Sequence, residues 1–555
     1  MTASVAAAAP DRGESVAHDT LVVTVGTLVS RLTGFGRVLV TAAVLSNGVL
    51  GDTYHTANTI PNLLFELIAA GVLQAILIPS FVAARREGGD DQLGESTGAI
   101  TGVVLVALGV VSAVFVLGAP LIGWLLTLAG DQALQHDKRV LMTRMLMVFV
   151  PQVLFYGLGM VTSAALAARR RFAAAALAPA VNNIIVIVCL LAYRSTPHGA
   201  PPSMHLDSWQ FIWVVGGTTL GVIAFTAVPG VVLSRQGVRW RPRWAPHHPA
   251  VRSLRRSVGW ATLSIVGTLV PTAAALVLGY RVEGGVAMFT MTFAFFVLPH
   301  ALVAVPVATA LAPRVADAWQ QGDRVYTGEL IDRAARTIVP VLLLAGAGLV
   351  ALSWPIARVA SFGQAAIFGT APIAHALAAF GVGLVGYGMS FTMLRLLFSL
   401  GDIRGASLLV AATAVVGAGL MAVLAASMSD HERATALALG YGITQTLVAA
   451  LLTWRSRAVT GYPTRRSVGR LGVGSVVAAV AAGAVMWAGQ ALLPPTRLGS
   501  LLAIVVCGVV GVGVFLAVVG TLAGVSVTAL VKRGDIAGSV ARVDVPFDSH
   551  DGSTT

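Results

Sequence analysis

The chain has 555 residues, of which 56% are hydrophobic and only 11% charged, with a mean hydropathy of +0.83. A soluble globular chain keeps about a quarter of its residues charged, so the composition excludes that class and points to an integral membrane protein. The net charge of +13 would suggest a nucleic-acid partner in a soluble protein, but here the basic residues cluster in short loops between apolar runs, so none is expected.

Residues 1–19 form a polar, alanine-rich cytoplasmic tail, and the apolar run after it is too long and too interrupted by arginine to be a cleaved signal peptide. Crossing a bilayer takes about 20 apolar residues. Stretches of that length occur at 20–46, 53–83, 97–127, 140–168, 172–193 and 209–233. Six more lie at 257–280, 285–312, 330–357, 370–399, 403–428 and 433–454, and two at 469–493 and 499–531. The expected fold is an all-α integral membrane protein of about 14 transmembrane helices, the second and eighth interrupted by prolines and polar residues. Residues 532–555 read as a disordered polar tail.

Lysine and arginine assign the two sides. One set of loops carries only Lys138, Arg139, Arg194, Arg281, Arg358, Arg433 and Arg497. The other carries most of the rest, including Arg85, Arg86, Arg169 to Arg171 and the run from Arg235 to Arg256. Both termini are therefore expected in the cytoplasm of a multi-pass plasma-membrane protein.

Four local patterns recur at nearly one offset. Pro79 with its following arginines matches Pro313 and Arg314, and Gly89-Asp90 matches Gly322-Asp323; Pro120-Leu121-Ile122 resembles Pro355-Ile356, and Tyr156-Gly157 matches Tyr387-Gly388. The offsets run from 231 to 235 residues, which divides the chain into two halves of six spans. Six is even, so the halves enter the membrane in the same sense and form a parallel repeat, with the substrate site expected between them. The expected units are a six-helix lobe over 20–233, a basic cytoplasmic linker over 234–256, a second six-helix lobe over 257–457, and two additional C-terminal helices within 467–531.

The candidate site starts in the first two spans. Arg31 and Arg37 lie inside the first, and Asp52, His55, Asn62 and Glu66 at or inside the second. A central arginine costs about 2.5–3.5 kcal/mol in a membrane helix, so a stretch that keeps two uses them on a protected face or in a watery cavity. At about 100° per residue, Ser30, Arg31, Gly34, Arg37 and Thr41 share one arc. The six-residue step from Arg31 to Arg37 spans only about 9 Å, which makes it hard for both to snorkel. Guanidinium groups held in this way suit phosphate oxygens. Glu66 reads as a neutralising partner for one of the arginines. His300 and His375 read as satisfied core histidines, and Gln74, Gln152, Asn182, Asn183 and Gln445 as polar groups that tie helices together. Cys189 and Cys507 read as inert core residues. There is no Walker-type loop, no His-Glu-x-x-His and no paired-cysteine motif, so no cofactor, metal or enzymatic step is expected.

Ser-Arg-Leu-Thr-Gly-Phe-Gly-Arg (Ser30 to Arg37), Asp52, Ala-Asn-Thr-Ile-Pro-Asn-Leu-Leu (Ala57 to Leu64), Ile-Pro-Ser-Phe-Val (Ile78 to Val82) and the stretch from Leu298 to Pro313 together resemble the MurJ/MviN family of lipid II flippases, within the multidrug and polysaccharide-lipid exporters. The resemblance covers about residues 20–530. It implies translocation of lipid II, the lipid-linked peptidoglycan precursor, from the inner to the outer leaflet, in a bacterial plasma membrane where cell-wall synthesis proteins are expected partners. It also implies a central cationic cavity to which Arg31 and Arg37 belong, an aspartate at Asp52, and a groove for the polyprenyl tail along the last two spans. The chain departs from the family at three places. Phe65 and Glu66 stand where many members have two arginines, Val38 where they have an acid, and Phe293-Ala294 where they have an Asp-Arg pair. Substrate contacts are thus expected at Arg31, Arg37, Asp52, Asn62 and Glu66. The alternatives are export of another polyprenyl-linked oligosaccharide, drug/cation antiport on the same fold, a membrane-embedded enzyme acting on polyprenyl phosphates, and a scaffold that has lost transport.

Overall fold

The computed structural model describes residues 12–46, 48–66, 73–127, 135–195, 205–248, 251, 260–367, 369–463 and 466–523. Every long element among them is a helix. The first half runs α1 (Arg12–Leu45), α2 (Val49–Phe65), α3 (Leu73–Leu117), α4 (Ala119–Thr127), α5 (Gln135–Phe149), α6 (Gln152–Ala168), α7 (Ala173–Arg194), the short α8 (Ser208–Phe211) and α9 (Gly217–Arg235). The second runs α10 (Trp260–Gly279), α11 (Gly285–Gln320), α12 (Arg324–Ala351), α13 (Ser353–Ala360), α14 (Ala371–Ser399), α15 (Ile403–Ser427) and α16 (Arg433–Thr460), and α17 (Arg466–Ala491) and α18 (Arg497–Ala523) follow.

Twelve stretches among the described residues are long and apolar enough to cross a membrane, and Leu263–Gly279 is a shorter apolar helix. The expected count of 14 is not reached on length and composition, and the second expected span shows why. It begins with α2, only 17 residues long and carrying Asp52, His55, Asn58 and Asn62. The continuous run of α3 is two helices joined at Gly88 and Gly89, where Gly89 takes φ 66°. Gly322, its partner in the repeat, takes φ 76°. Glycine occupies this left-handed region at little cost, so the sequence match reflects a shared turn.

The repeat is visible in the packing. In the first half α1 packs on α7, α3 on α6, and both α6 and α7 on α9; in the second, α10 packs on α15, α12 on α14, and both α14 and α15 on α16. Each half encloses its own apolar cluster, around Phe81, Phe149 and Met145 in the first and Phe296, Phe380 and Met393 in the second. A third cluster, with Leu352, Met486 and Phe515, fixes α17 and α18 to α12 and α13. Large apolar side chains stand exposed on the outer surfaces, such as Val415, Trp487 and Val509, as surfaces that face acyl chains must.

The halves are tied together at one end, where α1 finishes and α2 begins. Asp52 accepts from Gly284 N at 2.7 Å and Ala287 N at 2.8 Å, and Thr53 Oγ1 shares a hydrogen bond with Tyr280 Oη at 2.9 Å. Gly363 meets the Ala43 carbonyl at the same end. After α9 the chain runs extended along α3. A Cβ at Gly94, Gly98 or Gly102 would strike the carbonyls of Arg239, Arg241 and Arg243 respectively, and Arg243 N donates to Gly98 O at 3.0 Å. Four helical residues rise about 6 Å and two extended residues about 6.6 Å, so the two periods match.

Candidate functional site: facing walls of two lobes

The polar arc of α1 is shared between two tasks. Asn183 of α7 donates to Ser30 O and Thr33 Oγ1, each at 3.3 Å. That contact fastens part of the arc to the first lobe. Arg31 stays exposed and Arg37 half-buried. Among the described residues neither guanidinium has a carboxylate within 4.0 Å. The expected neutralising pair with Glu66 is therefore absent. The reason is placement: Glu66, exposed at the end of α2, lies within electrostatic reach of Tyr387 and Tyr441 in the second lobe. Arg31 lies within electrostatic reach of His300 and Tyr387 of the second lobe, whereas Arg37 lies within reach of Tyr54, His55 and Tyr156 in its own lobe.

Asn62 is half-buried and donates through Nδ2 to Asn58 O at 2.9 Å. Asp52 is only 3% exposed and spends both carboxyl oxygens on the N-terminus of α11, where backbone N–H groups lack helical partners. In this conformation it faces no open volume, so its geometry is that of a latch between lobes. Lys138, itself buried, lies within electrostatic reach of it. His55 is buried against Tyr54, ring centroids 5.7 Å apart.

The second lobe answers with aromatic rings, of which the sequence marked only Phe293 and Tyr387, neither as a site residue. Phe293, Phe296, Phe380, Tyr387 and Tyr441 form one cluster, with Phe296–Phe380 at 4.7 Å and Phe293–Tyr441 at 5.4 Å. His300 packs on Tyr387 at 4.4 Å and is buried with Nδ1 unbonded, so it is not the satisfied core histidine expected. His375, also expected in the core, is half exposed and lies 3.9 Å from Glu432. A signal was present: Tyr387 is the repeat partner of Tyr156, and each of these tyrosines sits near one of the two arginines. The expected helix ties are seen where Gln152 donates to Thr219 and Ser390 to Gln445, while the Gln74 side chain lies outside the described residues.

Of two well-formed cavities among the described residues, neither is lined by the arginines of α1. One of about 320 Å³ is bounded by Ile60, Leu63 and Leu64 of α2 and by Val266, Leu269 and Val270 of α10, and so lies at the seam between the lobes. The other is in the first lobe alone.

Two helical lobes latched at one end, the first with two arginines that meet no carboxylate among the described residues and the second with a cluster of aromatic rings, have the build of a two-lobe membrane transporter. Residues 41–507 match the family model described as lipid II flippase MurJ, and the chain belongs to that family. The match begins after Arg31 and Arg37. A probable lipid II flippase MurJ from Rhizobium meliloti (strain 1021) is 27% identical over 537 residues, covering 94% of this chain and 97% of that one. The lipid II flippase MurJ of Burkholderia cenocepacia is 25% identical over 65% of this chain and 69% of its own. A solved structure of lipid II flippase MurJ in an inward closed conformation superposes with a TM-score of 0.71 at 17% identity, covering 93% of this chain and all of that one. An inward-facing multidrug transporter of the MATE family follows at a TM-score of 0.60 and 13% identity, covering 78% and 96%. At these identities the structures speak for the fold.

Proposed function

We propose that this protein carries lipid II from the inner to the outer leaflet of a bacterial plasma membrane by alternating access, as a transporter and not as an enzyme. The observation that carries the reading is Arg31, an exposed guanidinium on a bundle helix, unpaired among the described carboxylates and within electrostatic reach of His300 and Tyr387 in the opposite lobe. A pyrophosphate-linked head group is a dianionic partner of suitable geometry for Arg31 and Arg37. Asn62 and Glu66 offer polar contacts to the sugar-peptide portion, and Tyr387 and Tyr441 offer ring faces. Asp52 we assign to closure of the outer end instead of to cargo.

On this reading both termini are cytoplasmic, and the arginine-rich loops face the cytoplasm. The latch at Asp52 then closes the outer face, leaving the charged gap to load from inside. The membrane potential, worth about 2.3 kcal/mol per charge per 100 mV, can bias a cationic site as it swings outward. Cell-wall synthesis proteins are the partners such a carrier would hand its cargo to. The test is replacement of a bacterium's own lipid II flippase by this chain, with lipid II, undecaprenyl phosphate and a cationic drug compared as ligands of the purified protein. Growth with selective lipid II binding is the expected result, and a drug that binds better than lipid II would overturn it.

A further inference from the structure

Outside the gap between the lobes, the first lobe holds a second concentration of arginine. A cavity of about 590 Å³ is lined by Val82, Arg85, Arg86, Gly89, Asp90, Ala167, Ala168 and Arg170, where the turn inside α3 meets the turn between α6 and α7. Four arginines, Arg85, Arg86, Arg169 and Arg170, stand in these two turns, and Asp90 is the carboxylate that lines the cavity. Two of the four are occupied: Arg85 Nε lies 3.5 Å from Asp90 Oδ1 and Arg169 Nη1 3.2 Å from Asp90 Oδ2. The same two side chains donate to Ala168 O at 3.4 Å and Gln236 O at 3.2 Å. Asp90 thus bridges the two turns through Arg85 and Arg169, and Arg169 in turn reaches the start of the extended linker. Arg86 and Arg170 line the cavity with no carboxylate within 4.0 Å among the described residues. Glu87 and Asp91 are exposed and do not line it.

The backbone adds a separate observation. Arg170 has φ 58°, a left-handed conformation that glycine and asparagine occupy far more readily than arginine. A turn that only needed to close would be relieved by glycine. Keeping a long cation there places a guanidinium at the cavity mouth at a conformational cost, and such strain gathers where a side chain has work to do.

We propose that this cavity is an anion site for a phosphate group, distinct from the gap that holds Arg31 and Arg37, with Arg86 and Arg170 as its ligands and Asp90 as the residue that positions the frame. Arginine forks bind phosphate oxygens in pairs, and a site among arginine-rich turns beside membrane helices is placed for a phosphate at the bilayer surface. The phosphate can arrive on a lipid head or free in solution; the chemistry is the same. The site does not depend on which cargo the lobes carry.

The test uses the full chain in detergent, titrated separately with dioctanoyl phosphatidylglycerol, dioctanoyl phosphatidylcholine and inorganic pyrophosphate. Each arginine removed from a phosphate near a membrane surface is expected to weaken binding about fivefold, so R86Q/R170Q lowers affinity for the anion by about 25-fold and leaves phosphatidylcholine unaffected. Loss for phosphatidylglycerol identifies a lipid head; loss for pyrophosphate identifies a free phosphate. Both uphold the site. Arg170→Gly separates binding from folding: it is expected to keep or raise the melting temperature while costing about fivefold in anion affinity. Unchanged affinity for both anions in R86Q/R170Q and in Arg170→Gly, with melting preserved, overturns the proposal.

Discussion

Tyr156 and Tyr387 occupy the same place in the two halves and live in different surroundings. Tyr156 sits with Phe65 at 5.4 Å and Phe225 at 6.0 Å, within reach of Arg37. Tyr387 is surrounded by Phe293, Phe296, His300 and Tyr441, and lies within electrostatic reach of Glu66 and Arg31 of the first lobe. The helix pairing around the two is the same. The repeat therefore supplies a symmetric frame, and the side chains make it into one wall of charge and one wall of rings. A head group with phosphate at one end and sugar at the other needs such a difference, because guanidinium binds the first and aromatic faces the second.

The largest expected effect comes from removing the charge that distinguishes the first wall. Arg31→Ala with Arg37→Ala deletes two charge-assisted contacts of about 1.5–3 kcal/mol each, and should lower lipid II binding by more than about 100-fold; binding reduced less than tenfold would place the head group elsewhere. Next is the latch. Asp52→Ala removes two hydrogen bonds to a helix N-terminus, a loss of about 3 kcal/mol to the closed state. The buried Thr56→Cys, introduced as a reporter at a site 1% exposed, should then react with a soluble thiol reagent on the order of 100 times faster.

Smaller effects test the second wall and the linker. Phe293→Ala should cost about 2 kcal/mol in unfolding free energy, below the value for a fully buried ring because this one is partly covered. The corresponding change at Phe65 should weaken its lobe less, since Phe65 meets one ring within 6 Å where Phe293 meets several. Equal losses would mean that the walls are more alike than their geometry. The smallest effect is Gly98→Ala, which pushes the linker off α3 and should lower thermal stability by about 1 kcal/mol; protection of the Val238 to Arg243 segment from proteolysis should fall with it.

Membrane embedding, the near-fixed repeat offset and the arginines of α1 were legible from residue order alone, because apolar run length, recurring turn residues and a charge in a greasy helix are local properties. The site was legible only in part. Asp52 stood out as an acid near a span, yet its partners at Gly284 and Ala287 lie more than 230 positions away, and an acid facing a cavity looks the same in sequence as one capping a distant helix. The same limit applied to Glu66, whose neighbours turned out to be tyrosines of the other lobe, and to the glycines at 94, 98 and 102, whose spacing has no meaning until the linker lies on them. Which face of α1 looks across the gap, and which leans on Asn183, is a matter of helix rotation. Packing against α7 sets that rotation, and periodicity fixes only which residues turn together.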